Sequence, residues 1–346
     1  MKKTVEFQPG GQQSAHLTRR DALLGATSGL FALTTLSACK PRKEGKVVGM
    51  IPKFTSDPYF IAANQGGQEA GKELGLTVEY NGPVDANVTS QANIIDRMVR
   101  AGVDALAVCA NDPDALAPAL LRAASKGIKV STWDADVRPD ARRVFLNQAS
   151  FEAIGQSIVD IMVRGAGTAG DFLLVVGSLT ATNMIAWSGE IQKQLAQNYP
   201  DMRIKTMLDG NEDIEKAKNI TLNYLRANPG IKGVFVVDGI STIGVAEAVE
   251  QLGLQGKVTI SGIGVPSSVR PYIKKGTVKS AVLWNPTDIG YAAIYIANAQ
   301  LNGTLDPTSG SVSAGRLGKL SFVSNDVVLL GPPLVFTADN IDQYKF

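Results

Sequence analysis

Two aspartates, Asp134 and Asp136, stand just beyond the apolar segment 129–133 in the run Trp133-Asp134-Ala135-Asp136. Paired carboxylates at a strand end can serve as general acid and base, as metal ligands, or as acceptors for hydroxyls of a bound molecule. The plainer alternative is that one caps the next helix and the other is solvated. Hydroxyl acceptance is the reading carried forward, with Asp134, which points off the strand terminus, ahead of Asp136. Lys53 ends another apolar run and reads as a donor to the same space, or as an ordinary surface lysine. Tyr59, Phe60 and Trp284 offer flat apolar faces on which a ring can stack, unless they only fill core. Asn183, Asp238 and Gly239 also follow apolar runs, with helix capping as the alternative for Asn183 and Asp238. Asn147-Gln148 falls where the chain should leave the first half of the body, as hinge, as contact, or as both.

Other chemistries are excluded. The single histidine of the 346 residues, His16, precedes Cys39, so a chain processed at Cys39 has none. Imidazole-based serine or cysteine hydrolysis and histidine-ligated metal sites are therefore not expected, and no cofactor or metal is. The two cysteines form no disulfide framework, and Cys109, inside the apolar run 105–110, reads as a small buried hydrophobe. Gly165-Ala166-Gly167-Thr168-Ala169-Gly170 fits the dinucleotide pattern letter for letter, but a helix is expected before it and a strand after it. That is the reverse of what phosphate binding needs, so the segment reads as a loop. A net charge of +2 gives no case for nucleic acid.

The amino-terminal stretch reads as an address. Thr18-Arg19-Arg20-Asp21-Ala22-Leu23-Leu24 resembles a twin-arginine export signal, and a modestly apolar run too short for a convincing span continues to Leu36. Leu36-Ser37-Ala38-Cys39 then matches a bacterial lipobox, which makes Cys39 the expected lipidation site. The expectation is a signal peptide over 1–38, a tether over 39–46, and a periplasmic body held to the membrane by acyl chains.

The body must position the polar groups, and its patterning says how. Strand-length apolar runs at 47–51, 77–80, 105–110 and 129–133 alternate with helical stretches at 60–74, 88–101 and 115–126. The rhythm recurs with strands at 172–176, 205–208, 233–237, 258–261 and 279–283. Val47-Val48-Gly49 and Val175-Val176-Gly177 lie 128 positions apart, as do Gly102 and Gly230, and Lys129-Val130 and Lys257-Val258. The strand at 105–109 falls on 233–237 at the same offset. These coincidences suggest two copies of one α/β unit. The expected fold class is α/β: two Rossmann-like lobes with parallel sheets, joined by a multi-strand hinge. Lobe 1 takes 47–147 with about 285–320, and lobe 2 takes 148–284 with about 321–346. Ligands of parallel sheets bind beyond the carboxyl ends of the strands. That rule selects Lys53, Asn111, Asp112, Asp134, Asp136, Asn183, Asp238, Gly239 and Trp284.

At these residues the sequence resembles the type I periplasmic sugar-binding proteins of ABC transporters, nearest the branch that binds autoinducer-2 and rhamnose. The likeness runs through Ile51-Pro52-Lys53, Ala70-Gly71-Lys72-Glu73-Leu74-Gly75, Pro118-Ala119-Leu120 and Thr132-Trp133-Asp134. It continues through Asn147-Gln148, Arg270-Pro271-Tyr272, Leu283-Trp284 and the tail 340–346, covering essentially all of 46–346. The resemblance implies a ligand at the hinge, with Lys53 and Asp134 as polar contacts, Tyr59 and Phe60 where the autoinducer binder has paired phenylalanines, and Trp284 on a pocket tryptophan. Asn183-Met184 replaces that binder's Asp-Gln pair, and Val237-Asp238-Gly239 its Pro-Asp-Ala. Both departures favour a small sugar or sugar alcohol over autoinducer-2. The implied partners are that ligand, an ABC permease and, compatibly, a chemoreceptor, with the protein itself monomeric and not an enzyme. A periplasmic glycoside hydrolase using Asp134 and Asp136 is the rival from another class.

Overall fold

The computed structural model describes residues 45–346, so the export, lipidation and most of the tether readings lie outside the described residues. Apolar runs that are buried on both faces become parallel strands here, because helices cover both sides of each sheet. In chain order come β1 (Val47–Ile51), α1 (Pro58–Leu74), β2 (Thr77–Tyr80), α2 (Val88–Ala101), β3 (Ala105–Val108), α3 (Pro113–Ser125), β4 (Lys129–Trp133) and β5 (Val144–Asn147). The second series is α4 (Phe151–Ala166), β6 (Gly170–Val176), α5 (Thr182–Asn198), β7 (Met202–Asp209), α6 (Ile214–Ala227), β8 (Ile231–Val236), α7 (Gly239–Gln251), β9 (Thr259–Ile263), α8 (Pro266–Lys275) and β10 (Ser280–Leu283). The chain closes with α9 (Pro286–Leu301), β11 (Ser311–Ser313), β12 (Lys319–Ser324), β13 (Val327–Leu329) and β14 (Leu334–Phe336).

Two sheets result. One has the order β11-β12-β13-β5-β4-β3-β1-β2, the other β14-β10-β9-β8-β6-β7. Their parallel cores, β5-β4-β3-β1-β2 and β10-β9-β8-β6-β7, share one topology, as a duplicated α/β unit requires. The letter matches carry less of this than the topology does. Val47-Val48 opens β1, whereas Val175-Val176 closes the equivalent β6. Gly102 caps α2 in the left-handed region at φ 80°, a conformation Gly230 does not share. The offset of β3 onto β8, and of β2 onto β7, does land strand on strand.

The chain passes between lobes after β5, after β10 and again between β13 and β14. The expected return to lobe 2 near residue 321 is therefore corrected. β12 and β13 extend the first sheet, with Val327–Leu329 parallel to Phe145–Asn147, and only β14 joins the second, antiparallel to β10. The cause of the misreading is physical: β12 lies between the three-residue β11 and β13 and carries alternating exposed polar residues with no apolar run.

The packing of α9 on α1 sets the mouth of the cleft. Gly66 and Gly290 face each other's helix, and a Cβ on either would collide with the backbone of Thr287 or Ala63. Glycine at both positions lets the two helices approach until their backbones nearly touch. Their amino-terminal ends, starting at Pro58 and Pro286, thereby hold Tyr59 and Trp284 side by side.

Candidate functional site

Two helices that begin at the cleft, α1 and α7, start with an aspartate cap, and both caps line the site. Asp57 precedes Pro58 at the start of α1 and accepts from the Tyr59 amide at 2.9 Å. Asp238 caps α7, its Oδ1 accepting from the Ser241 amide at 2.8 Å. Asp134 follows β4 in the left-handed region at φ 64°. The other non-glycine residues with positive φ among the described residues are the consecutive pair Asn211 and Glu212, in the turn from β7 to α6. Such strained backbone costs free energy and concentrates at functional sites.

These residues surround a narrow cavity between the carboxyl ends of the two sheets. From lobe 1 it is lined by Lys53, Asp57, Tyr59, Phe60 and Asp134, and from lobe 2 by Asn183, Met184, Trp187, Glu212, Asp238 and Gly239. Trp284 and Leu283 line it at a crossing, and Val237, Ile240, Ile263 and Val265 add an apolar floor.

One hydrogen-bond chain ties the first wall. Trp284 Nε1 donates to the Tyr59 hydroxyl at 2.7 Å, and that hydroxyl donates to Asp134 Oδ1 at 2.9 Å. The Cys109 thiol donates to Asp134 Oδ2 at 3.2 Å. Edge-to-face contacts link Tyr59 to Phe60 and to Trp284, with centroids 5.0 and 5.9 Å apart. Lys53, 2% exposed, reaches across the cleft to Glu212 Oε1 at 3.1 Å. The lobes also touch where the Asp136 amide donates to Thr182 Oγ1 at 2.9 Å.

Burial shapes the charges. It opposes the positive charge of Lys53, but Glu212, Cys109 and Asp134 together more than offset this and the pKa lies above the usual lysine value. Burial raises Asp134 despite the pull of Lys53, and pushes the Cys109 thiol and the Tyr59 phenol well up. Asp57 rises to about 7 and Asp238 to about 6, each from burial first, with neighbouring carboxylates adding to it.

Of the residues selected from the sequence, Lys53, Tyr59, Phe60, Asp134, Asn183, Met184, Asp238, Gly239 and Trp284 line this cavity. Asp136 and Asn147 do not. The Asp136 carboxylate turns away to Arg142, at 2.7 Å from Nη2, and to the Val137 amide at 2.8 Å. Arg142 is itself buried and bridges on to Asp326 at 2.6 Å. The two aspartates thus face different surroundings, and the acid–base pair expected of a hydrolase loses one member. Asn147 ends β5, where its carbonyl accepts from the Leu330 amide at 2.9 Å, a hinge position. Asn111 sits behind the wall, donating from its amide to the Lys53 carbonyl at 2.8 Å, and Asp112 caps α3. Cys109 is buried as expected, yet it holds Asp134 as well as filling space.

Three polar or aromatic lining residues were not selected. Asp57 shares the post-β1 loop with Lys53, and Glu212 follows β7, so the strand-end rule applied to whole loops finds both. Trp187 lies one helical turn beyond Asn183 on α5, and the helical period finds it. The glycine-rich segment 165–170 runs from the end of α4 into β6, as its order of elements required.

The fold and the site together define a two-lobed α/β binding protein whose cavity lies between duplicated sheets. The chain belongs to the periplasmic binding protein domain family, which it matches over residues 48–305, and its architecture is that of the type I members. It is similar to LsrB from Clostridium saccharobutylicum, solved in complex with AI-2, at 27% identity and a TM-score of 0.82, covering 87% of this chain and 100% of that one. An ABC transporter solute-binding protein from Clostridium phytofermentas, solved with bound L-rhamnose, gives 27% identity and a TM-score of 0.82, covering 86% and 98%. The xylitol-binding protein of Mycolicibacterium smegmatis is 28% identical over 296 residues, covering 84% of this chain and 77% of that protein.

Proposed function

We propose that this protein is the extracytoplasmic solute-binding component of an ABC importer, capturing a small sugar or sugar alcohol between its lobes and passing it to a permease. The observation that carries the reading is a cavity walled by both lobes, in which aromatic faces stand beside buried carboxylates. Aromatic rings suit the apolar faces of a sugar, and carboxylates accept its hydroxyls. The relatives' named ligands (rhamnose, xylitol, AI-2) are small and oxygen-rich, which supports the class but not a member of it.

Each lobe supplies part of the contacts, so a guest touching both favours closure by its differential affinity for the closed state. Charge-assisted hydrogen bonds are worth roughly 1.5–3 kcal/mol net each. Two or three with stacking reach the roughly −8 kcal/mol of micromolar affinity. Cys39 would anchor the exported chain to the membrane, and replacing it with alanine should release the protein from membranes into the soluble fraction. A thermal-shift screen against pentoses, hexoses, deoxysugars, polyols and AI-2 tests the ligand class, because binding to the folded state raises apparent stability. A sugar or polyol should shift the transition by several degrees. No shift with any of them would overturn the reading, and a shift with AI-2 alone would replace it.

A further inference from the structure

The cleft's charge is lopsided. Among the lining residues are four carboxylates, Asp57, Asp134, Glu212 and Asp238, and one cation, Lys53, which is already paired with Glu212. Asp57 and Asp238 face the amino-terminal ends of α1 and α7, each worth about half a positive charge. The cavity remains net negative after both are allowed for. Two further observations point from this cluster to a guest. Asp238, 4% exposed, uses Oδ1 on its cap while Oδ2 has no hydrogen-bond partner. Trp187, 2% exposed, likewise has an unpartnered Nε1 on the same wall. Asp238 and Glu212 also crowd together over Gly177, where a Cβ would come within 2.6 Å of the Asp238 carboxyl carbon and 2.9 Å of Glu212 Cγ. A buried acceptor left without a donor is costly, and crowded carboxylates repel.

We propose that the guest carries a protonated amine as well as hydroxyls (an amino sugar or amino polyol), with its ammonium seated between Asp238 and Glu212 beside the aromatic faces of Trp187 and Trp284. The assignment rests on the reading of the cleft as a site for a small polyhydroxylated solute, and names the charge of that solute. An ammonium donates three hydrogen bonds and accepts none, which suits the unpartnered Asp238 Oδ2. Indole faces attract cations, most strongly when the cation is desolvated. The hydroxyls remain for Asp134, Lys53 and the Trp187 Nε1 donor.

The test is calorimetric titration of the purified full chain at pH 7.5 with matched pairs. These are D-glucosamine and D-glucose, D-galactosamine and D-galactose, D-mannosamine and D-mannose, and 1-amino-1-deoxy-D-sorbitol and D-sorbitol. In at least one pair the amine should bind tenfold or more tightly than its neutral partner. Asp238→Asn should remove at least tenfold of that amine's affinity; asparagine still caps the helix, so the fold is kept. Should that variant fail to fold, Asp57→Asn, also a competent cap, is expected to weaken the same amine at least threefold. If the neutral member of every pair binds as well or better, the ammonium assignment is overturned while sugar binding stands. An amine whose affinity ignores the folded variant overturns it too. If no compound binds, neither amine nor parent, the ammonium assignment falls, and the thermal-shift screen decides the sugar reading by itself.

Discussion

The two walls of the cleft are built on the same topology but finished differently. Lobe 1 presents groups already committed to one another: Tyr59 to Asp134, Trp284 to Tyr59, Cys109 to Asp134 and the Tyr59 amide to Asp57. Lobe 2 presents groups with bonding capacity to spare, Asp238 Oδ2 and Trp187 Nε1. The same duplicated unit therefore gives one rigid cradle and one reading surface. A locked network holds its shape at the moment of binding, which limits the ordering cost. Unpartnered buried atoms favour whatever guest completes them.

Substitutions separate the two roles. Asp134→Ala strands both the Tyr59 hydroxyl and the Cys109 thiol, so ligand affinity should fall at least about tenfold and stability by about 1–3 kcal/mol. Calorimetric titration with chemical denaturation reads both, and unchanged affinity would remove Asp134 from the cradle. Asp136→Ala, two residues on, should lower stability by a similar 1–3 kcal/mol through the buried Arg142 while leaving affinity within twofold. If it impaired binding as Asp134→Ala does, the separation of the two carboxylates would be wrong. Trp187→Phe keeps an aromatic face but removes the pyrrole half of a buried indole along with a donor that has no protein partner. Affinity should drop about threefold, with stability falling by about 1–3 kcal/mol through the void left behind. A stability loss without an affinity loss would place Trp187 in the core rather than on the reading surface.

The smallest effect concerns protons. Asp57 and Asp238 rise from an ordinary 3.8 to about 7 and about 6, so the folded protein keeps protons there that the unfolded chain has released. Stability from these groups is present below about pH 4 and declines as pH rises toward 7. No histidine among the described residues titrates in that window. The unliganded protein should melt a few degrees higher at pH 5 than at pH 8, and Asp57→Asn should flatten the slope. A melting temperature that climbs with pH across this range would contradict the raised carboxyls.

Much of this was legible in the sequence because parallel strands buried on both faces are written as apolar runs. β1, β2 and β4 follow their runs residue for residue. β11, β13 and β14 have only three residues each and β12 carries exposed polar residues instead of an apolar run, so these strands left no comparable mark, and the last lobe crossing came later than expected. At the site, position beyond a strand end was a sufficient signal for Lys53, Asp134 and Asp238. It was insufficient for Asp136, because the left-handed turn at Asp134 and the pull of Arg142 send neighbouring carboxylates to different places. Glu212 depends on two consecutive left-handed residues, Asn211 and itself, a backbone event that composition does not record.

The central claim is that one guest is held by both walls at once. A crystal structure of the protein with the tightest-binding compound of the screen tests it most directly. The account predicts that compound within hydrogen-bonding distance of Asp134 or Lys53 on one side and of Asp238 or Trp187 on the other. A ligand bound to one lobe only, or outside this cavity, would contradict it.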